Sequence, residues 1–378
     1  MCHLHRRGVG DLASATTVAP VIAPLSTSYV DARAAFLDAA AAAGARLEAF
    51  PHPLRGLQGE ELFVDVAEVG PVDTDDATAV VLVVSGTHGV EGYLGSALQR
   101  HHLETLDRDR TTGPTLVFVH ALNPYGFSWV RRVNEDNVDL NRNFVDWAEP
   151  VPTNDGYSEL AELLVPSSWT ADEQERTLHG LMGKLQEMGT ERLQQIIQGG
   201  QFQHPTGVFY GGTGPTWSHR WLREFATRRL TGVGRAAIID LHTGLGPWGH
   251  GSLLSSNRPG DAAHDRQVAW WHDVTSLDDG ASVSAAVAGD WLAVADGFSP
   301  HTEVTGICIE YGTVEGITVL QSLRADAVMH AHGDPIAPEA LAVRNQVRAA
   351  FVDDDPAWLA TCWPTYHSVV TAASERLG

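Results

Sequence analysis

Cysteine is scarce in this chain: Cys2, Cys308 and Cys362 are the three among 378 residues. They are too few and too far apart to staple a fold or to build a CxxC metal site, and they suit a reducing cytoplasm. Basic charge is also short, with 25 Lys and Arg against 47 Asp and Glu and a formal net charge of −22. So acidic a surface argues against nucleic acid or an anionic membrane as partner, and says nothing about the fold. No stretch approaches the roughly 18 apolar residues of a membrane span. The early His and Arg residues lead to Asp11, Pro20 and Pro24 and not to an apolar run with a cleavage site, so no signal peptide is expected. Internal repeats and low-complexity linkers are absent as well.

What is present is ordinary for a globular protein: 43% hydrophobic and 19% charged residues. Residues 1–25 have no periodicity and read as a loose extension, and residues 26–378 as one domain. The spacing predicts a helix over 28–45, strands over 46–52 and 61–69, and a helix over 93–106. The run Val81–Val84 reads as a strand buried on both faces, stopped by Ser85 and Gly86. Thr115–Asn123 (TLVFVHALN), Arg235–His242 (RAAIIDLH) and Gly306–Gly312 (GICIEYG) read as three more buried strands. Residues 154–200 are polar with Leu at helical spacing, a helical insertion without a strong apolar core of its own. Helices are expected over 215–230, after Pro259 and from Thr318 onward. Strands alternating with helices give an α/β fold with a mainly parallel or mixed central sheet flanked by helices.

Polar residues gather at the carboxyl ends of those strands, where α/β sheets bind ligands. His88 and Glu91 stand three apart on the turn after the Val81 strand, a spacing that can converge on one divalent cation. His242 ends its strand on the same face as Asp240; alone it would be a satisfied core histidine. Glu310 interrupts an apolar strand, where a carboxylate is costly unless paired or protonated. Desolvation would raise its pKa toward the range of a general base, with a buried salt-bridge partner as the lesser alternative. Between these lies the polar loop Trp129–Phe144, which carries Arg131, Arg132, Asn141 and Arg142. Arginine's fork suits a carboxylate or a developing oxyanion.

The ordered set HGVE, NPYGF, RxN, DLNRNF, LH and IEYG strongly resembles the zinc carboxypeptidase family. GTHGVEG with HALNPYGF and DLHTGLGPWG is similar to a bacterial branch of uncharacterised carboxypeptidase-like proteins. The resemblance spans about residues 78–315, and DLNRNF is its most specific piece. It implies a single catalytic domain with one zinc per chain held by His88, Glu91 and His242, and Asp139 supporting His88. Arg132 would polarise the scissile carbonyl, with Arg131 the weaker claimant. Asn141 and Arg142 would hold a substrate carboxylate, and Glu310 would activate the water. The implied activity is hydrolysis of an amide bond in a peptide with a free carboxylate near that bond.

One departure stands out. The family places a tyrosine on a loop before its catalytic Glu, yet no Tyr occurs between His242 and Glu310. That brings a deacylase of small N-acyl amino acids, on the same fold, into play as an alternative, with Tyr210 or Tyr311 as substitutes for the missing phenol. A metal-binding module without catalysis is the third class, disfavoured because Glu310 is retained.

Overall fold

The structure, a computed structural model, describes residues 22–71, 79–107, 112–277 and 287–378. The stretch expected as a loose extension therefore lies outside the described residues up to residue 21. Chain order begins with helix α1 (Tyr29–Ala42), strands β1 (Arg46–Arg55), β2 (Glu61–Val69) and β3 (Ala79–Val84), and helix α2 (Gly92–Thr105). Strand β4 (Thr115–His120) and helix α3 (Pro124–Trp129) follow, then α4 (Tyr157–Leu164), α5 (Ala171–Met188), α6 (Thr190–Gln198) and α7 (Trp217–Leu230). The remainder is β5 (Arg235–Trp248), β6 (Gly251–Ser255), α8 (Ala262–Trp271), β7 (Val274–Ser276), β8 (Glu303–Gly312), α9 (Gly316–His332), α10 (Ala340–Phe351) and α11 (Pro356–Leu377).

Among the described residues eight strands form one sheet in the order β1-β2-β4-β3-β5-β8-β6-β7. The centre, β4-β3-β5-β8, is parallel, while β1, β2 and the β6–β8 pairing are antiparallel, so the sheet is mixed. The central strands AVVLVV and TLVFVH are buried at every position. Alternation along β3 sends Val81 and Val83 to one core, with Phe36, Leu98 and Tyr366. Val80, Leu82 and Val84 go to the other, with Leu222 and Phe225 of α7. Helices on both faces therefore leave the central strands no wet side, which is why those strands read as unbroken apolar runs, whereas the edge strand β1 is mostly exposed.

Two differences from the sequence reading lie on the far side of β5. That strand does not end at His242 but runs on to Trp248, with a register shift against β8 between Gly244 and Trp248. Strand β7 interrupts the stretch after Pro259 that was read as mostly helix, and β6, where no element was expected, owes its strand state to antiparallel pairing with β8. Among the described residues no helix is long and apolar enough to cross a membrane.

The chain leaves β3 towards β4 on one side, and later returns to place β5 on the other. Between β3 and β5 the connections diverge, and a crevice opens beyond the strand ends.

Candidate active site

His88 and Glu91 stand on the turn that leaves β3 into that crevice. Glu91 lies in a short 3-10 turn, Gly89–Glu91, that feeds α2. Backbone bonds from Gly89 N to Arg132 O (3.1 Å) and from Val90 N to Arg131 O (2.8 Å) tie this turn to the arginine loop. The approach is so close that a Cβ on Gly89 would run into the backbone of Gly126. Register carries the rest: Val84 pairs with Asp240 across β3 and β5, and His242 pairs with Glu310 across β5 and β8.

His88, Glu91 and His242 converge, all buried, with one ligand atom from each lying within 4.8 Å of the others. His242 Nδ1 is 3.0 Å from Glu91 Oε2, and its Nε2 is 2.6 Å from Asp240 Oδ2. Asp240 is itself fixed by Thr87 Oγ1 (2.7 Å) and by the indole N–H of Trp291 (2.7 Å). The ring thus lies between two carboxylates, Asp240 on Nε2 and Glu91 on Nδ1. Asp240 and Glu91 outweigh burial and hold the His242 pKa above the usual range. Burial, with Arg132 next in size, pushes His88 down instead.

Arg132 spans the site. Its Nε bonds Asp139 Oδ2 (3.0 Å), Nη1 bonds Glu91 Oε1 (3.0 Å), and Nη2 lies 2.6 Å from His88 Nε2. Asp139 is fully buried; burial alone would raise it, but Arg132, His88 and Arg142 hold it well below the usual carboxylate range. His88 Nδ1 is 3.7 Å from Asp139 Oδ1, and it is buried with no hydrogen-bond partner. Arg131, the other claimant, points away and bonds Asp326 Oδ2 at 2.9 Å.

Glu310 is buried on β8, two residues before the strand ends. Its Oε1 accepts from Leu245 N at 2.9 Å. Burial, and next the Glu91 charge, push it up to about 7 against the pull of His242. Asn141 and Arg142 both line the crevice. The Nε and Nη2 of Arg142 both bond Gln198 O (2.9 and 2.5 Å), and Nη1 bonds Asn141 O (3.0 Å). Three of its five N–H groups are thus engaged, and two remain. Asn141 Oδ1 is buried without a partner.

The donor set fits a zinc ion: two imidazoles and a carboxylate, with an open side toward the crevice and an orphaned nitrogen on His88.

Several participants carry no signal in the sequence. Phe209 lies under the guanidinium groups of Arg132 (5.7 Å) and Arg142 (5.2 Å), and its backbone is held at φ 55. That conformation costs a non-glycine residue about 1–2 kcal/mol. Trp291 bonds Asp240 from 51 residues away in sequence, and Gln198 bonds Arg142 from 56 residues away. Gly289, with φ +88, lets its neighbour Asp290 reach the crevice by packing on the Arg142 backbone. The substitutes considered for the missing tyrosine, Tyr210 and Tyr311, do not line the crevice, and no other described tyrosine does.

The crevice opens into a cavity of about 740 Å³. His88, Arg132, Asn141, Arg142, His242 and Glu310 line it, and α5, α6 and α9 add mainly aliphatic side chains, with Thr190 and Gln194 among them.

Residues 25–364 match the model of a family described as DUF2817, protein of unknown function. The chain belongs to the DUF2817 family. No curated protein matches it. Among solved structures, this DUF2817 member is similar to a carboxypeptidase A from Helicoverpa armigera, at 12% identity and a TM-score of 0.47, over 86% of this chain and 74% of that one. It is similar to bovine thrombin-activatable fibrinolysis inhibitor at 12% identity and a TM-score of 0.43, over 91% and 97% of the two chains. A metallo-carboxypeptidase from Burkholderia cenocepacia follows at 12% and 0.38, over 91% and 69%. None is close enough to transfer an activity.

Proposed function

We propose that the protein is a zinc-dependent hydrolase of amide bonds, carboxypeptidase-like in the layout of its site, acting on a substrate with a free carboxylate near the scissile bond. The observation that carries this reading is the convergence of His88, Glu91 and His242 within 4.8 Å at the polar end of a cavity. Glu310, with no ligand role, stands beside them on the next strand. One zinc per chain, bound there, would supply a Lewis acid that polarises the carbonyl and acidifies the attacking water.

The chain's own residues do the rest. Asp240 holds the His242 ring so that Nδ1 faces inward. Glu310 keeps Oε1 on Leu245 N–H, which leaves Oε2 to take a proton from the attacking water and return it to the amide nitrogen. Arg132 is the donor to the carbonyl oxygen as charge builds there, using the N–H now turned to His88. Asn141 and the two unengaged N–H groups of Arg142 receive the substrate carboxylate.

A second reading, deacylation of N-acyl amino acids, is favoured by the lack of any described tyrosine in the cavity wall. The test is a hydrolysis screen of zinc-loaded protein against short peptides and N-acyl amino acids side by side. Glu310→Gln should keep fold and metal while kcat falls on the order of 10²–10⁴-fold. A near-normal kcat in that variant would remove Glu310 from the mechanism.

A further inference from the structure

Away from the metal ligands, helices α5, α6 and α9 line the cavity mainly with aliphatic side chains, interrupted by Thr190 and Gln194 of α6. Met182 and Leu185 come from α5, Ile197 from α6, and Ile317, Leu320 and Leu323 from α9. The two aromatic rings in the wall sit at the polar end, Phe209 under the arginines and Phe351 against Gly244. The aliphatic tract also continues outward. Met182 and Ile317 are 37% and 46% exposed, among the large hydrophobic side chains that this protein leaves to solvent. Apolar surface left open in a concavity, rimmed by polar groups, marks a ligand site and not a packing residue.

We propose that this tract binds an unbranched aliphatic chain on the acyl side of the scissile amide, so that the substrate is a long-chain N-acyl amino acid. The proposal rests on the deacylase form of the amide-hydrolase reading. With the amino-acid carboxylate at Asn141 and Arg142 and the acyl carbonyl over His88, Glu91 and His242, the apolar walls are what remains for the acyl chain. Size agrees. At ~30 Å³ per methylene, taken as the share of a water in the liquid, a twelve-carbon chain fills about 360 Å³. That is about half of the 740 Å³ available, and the head group takes part of the rest. Walls dominated by Leu, Ile and Met suit a flexible chain better than a flat ring, and offer a sugar or a peptide backbone few polar partners beyond Thr190 and Gln194. The reaction consumes one water. The acyl carbon gains its oxygen, the C–N bond breaks, and the products are a fatty carboxylate and a free amino acid.

The experiment measures kcat/KM of the zinc-loaded protein on N-acetyl-, N-octanoyl- and N-dodecanoyl-alanine. Buried methylenes predict a gain of roughly three- to fourfold each until the tract is full, so the dodecanoyl compound should exceed the acetyl one by 100-fold or more. In the double variant Met182→Glu, Ile317→Glu that ratio should fall at least tenfold, with the thermal melting point checked against wild type. Leu185→Trp, which fills the tract, serves if the double variant does not fold. Highest activity on the acetyl compound, or on a short peptide, overturns the proposal, as does a chain-length ratio untouched by both variants. Calorimetry on Glu310→Gln separates the two levels. Tight binding of N-dodecanoyl-alanine over N-acetyl-alanine without hydrolysis by wild type supports the chain site and refutes the hydrolase reading. Hydrolysis of N-acetyl-alanine with no binding of the dodecanoyl compound refutes the chain site alone.

Discussion

Asp240 is the residue on which the geometry of His242 depends. It accepts three hydrogen bonds, from Thr87, Trp291 and His242, at a position with no solvent contact. Asp240→Asn would set an NH2 group against donors, leaving buried polar atoms unpaired and the His242 ring free to turn. Removal of such a supporting group lowers metal affinity by about 10–100-fold. Competitive chelation of the zinc-loaded variant should show that loss; unchanged affinity would make Asp240 a packing residue only. Arg142 allows a parallel test. Wild type should cleave a free acid in preference to its amide, and Arg142→Met should erase that preference with metal retained. If the blocked compound is cleaved as well as the free acid by wild type, no carboxylate site exists around Arg142.

Among the elements, β3, β4, β5 and β8 were readable in the sequence because burial on both faces writes an unbroken apolar run, and their polar interruptions marked the site. His88, Glu91, His242 and Glu310 stood out for that reason. The cavity walls did not. Helices α5 and α6 read as an insertion without a core because Met182, Leu185 and Ile197 face a cavity that no local pattern announces. Residues such as Trp291 and Phe209 reach the site through tertiary contacts alone. Strand β4 also carries a titration. His120, fully buried, stacks on Phe36 with ring centroids 4.5 Å apart and shares a hydrogen bond with Ser96 Oγ (2.9 Å). Burial, with Arg33 adding to it, pushes its pKa down to about 3. The unfolded chain takes up that proton near pH 6.5 while the folded chain refuses it, so stability is full above about 6.5 and is lost as pH falls toward 3. His219 and His330, pushed by burial to about 4, act in the same direction. Urea unfolding of wild type and His120→Gln from pH 7 to 4 should show a shallower loss in the variant, by at most about 1.4 kcal/mol per pH unit. Identical slopes would mean that His120 is charged in the folded state.

For the whole molecule, a formal charge of −22 surrounds a site that holds the buried Arg142 and the half-buried Arg132, so an anionic substrate meets attraction only near these arginines. The sheet order brings together side chains from β3, β5 and β8 and from the loop after α3, separated by more than 200 residues in the chain. His88, Glu91 and His242 together should hold one zinc. Metal analysis of the purified protein after zinc loading and exhaustive dialysis tests it most directly, since no substrate need be known. One zinc is expected per wild-type chain and none in His88→Ala or His242→Ala, with both variants folded. Stoichiometric zinc that survives both substitutions would contradict it.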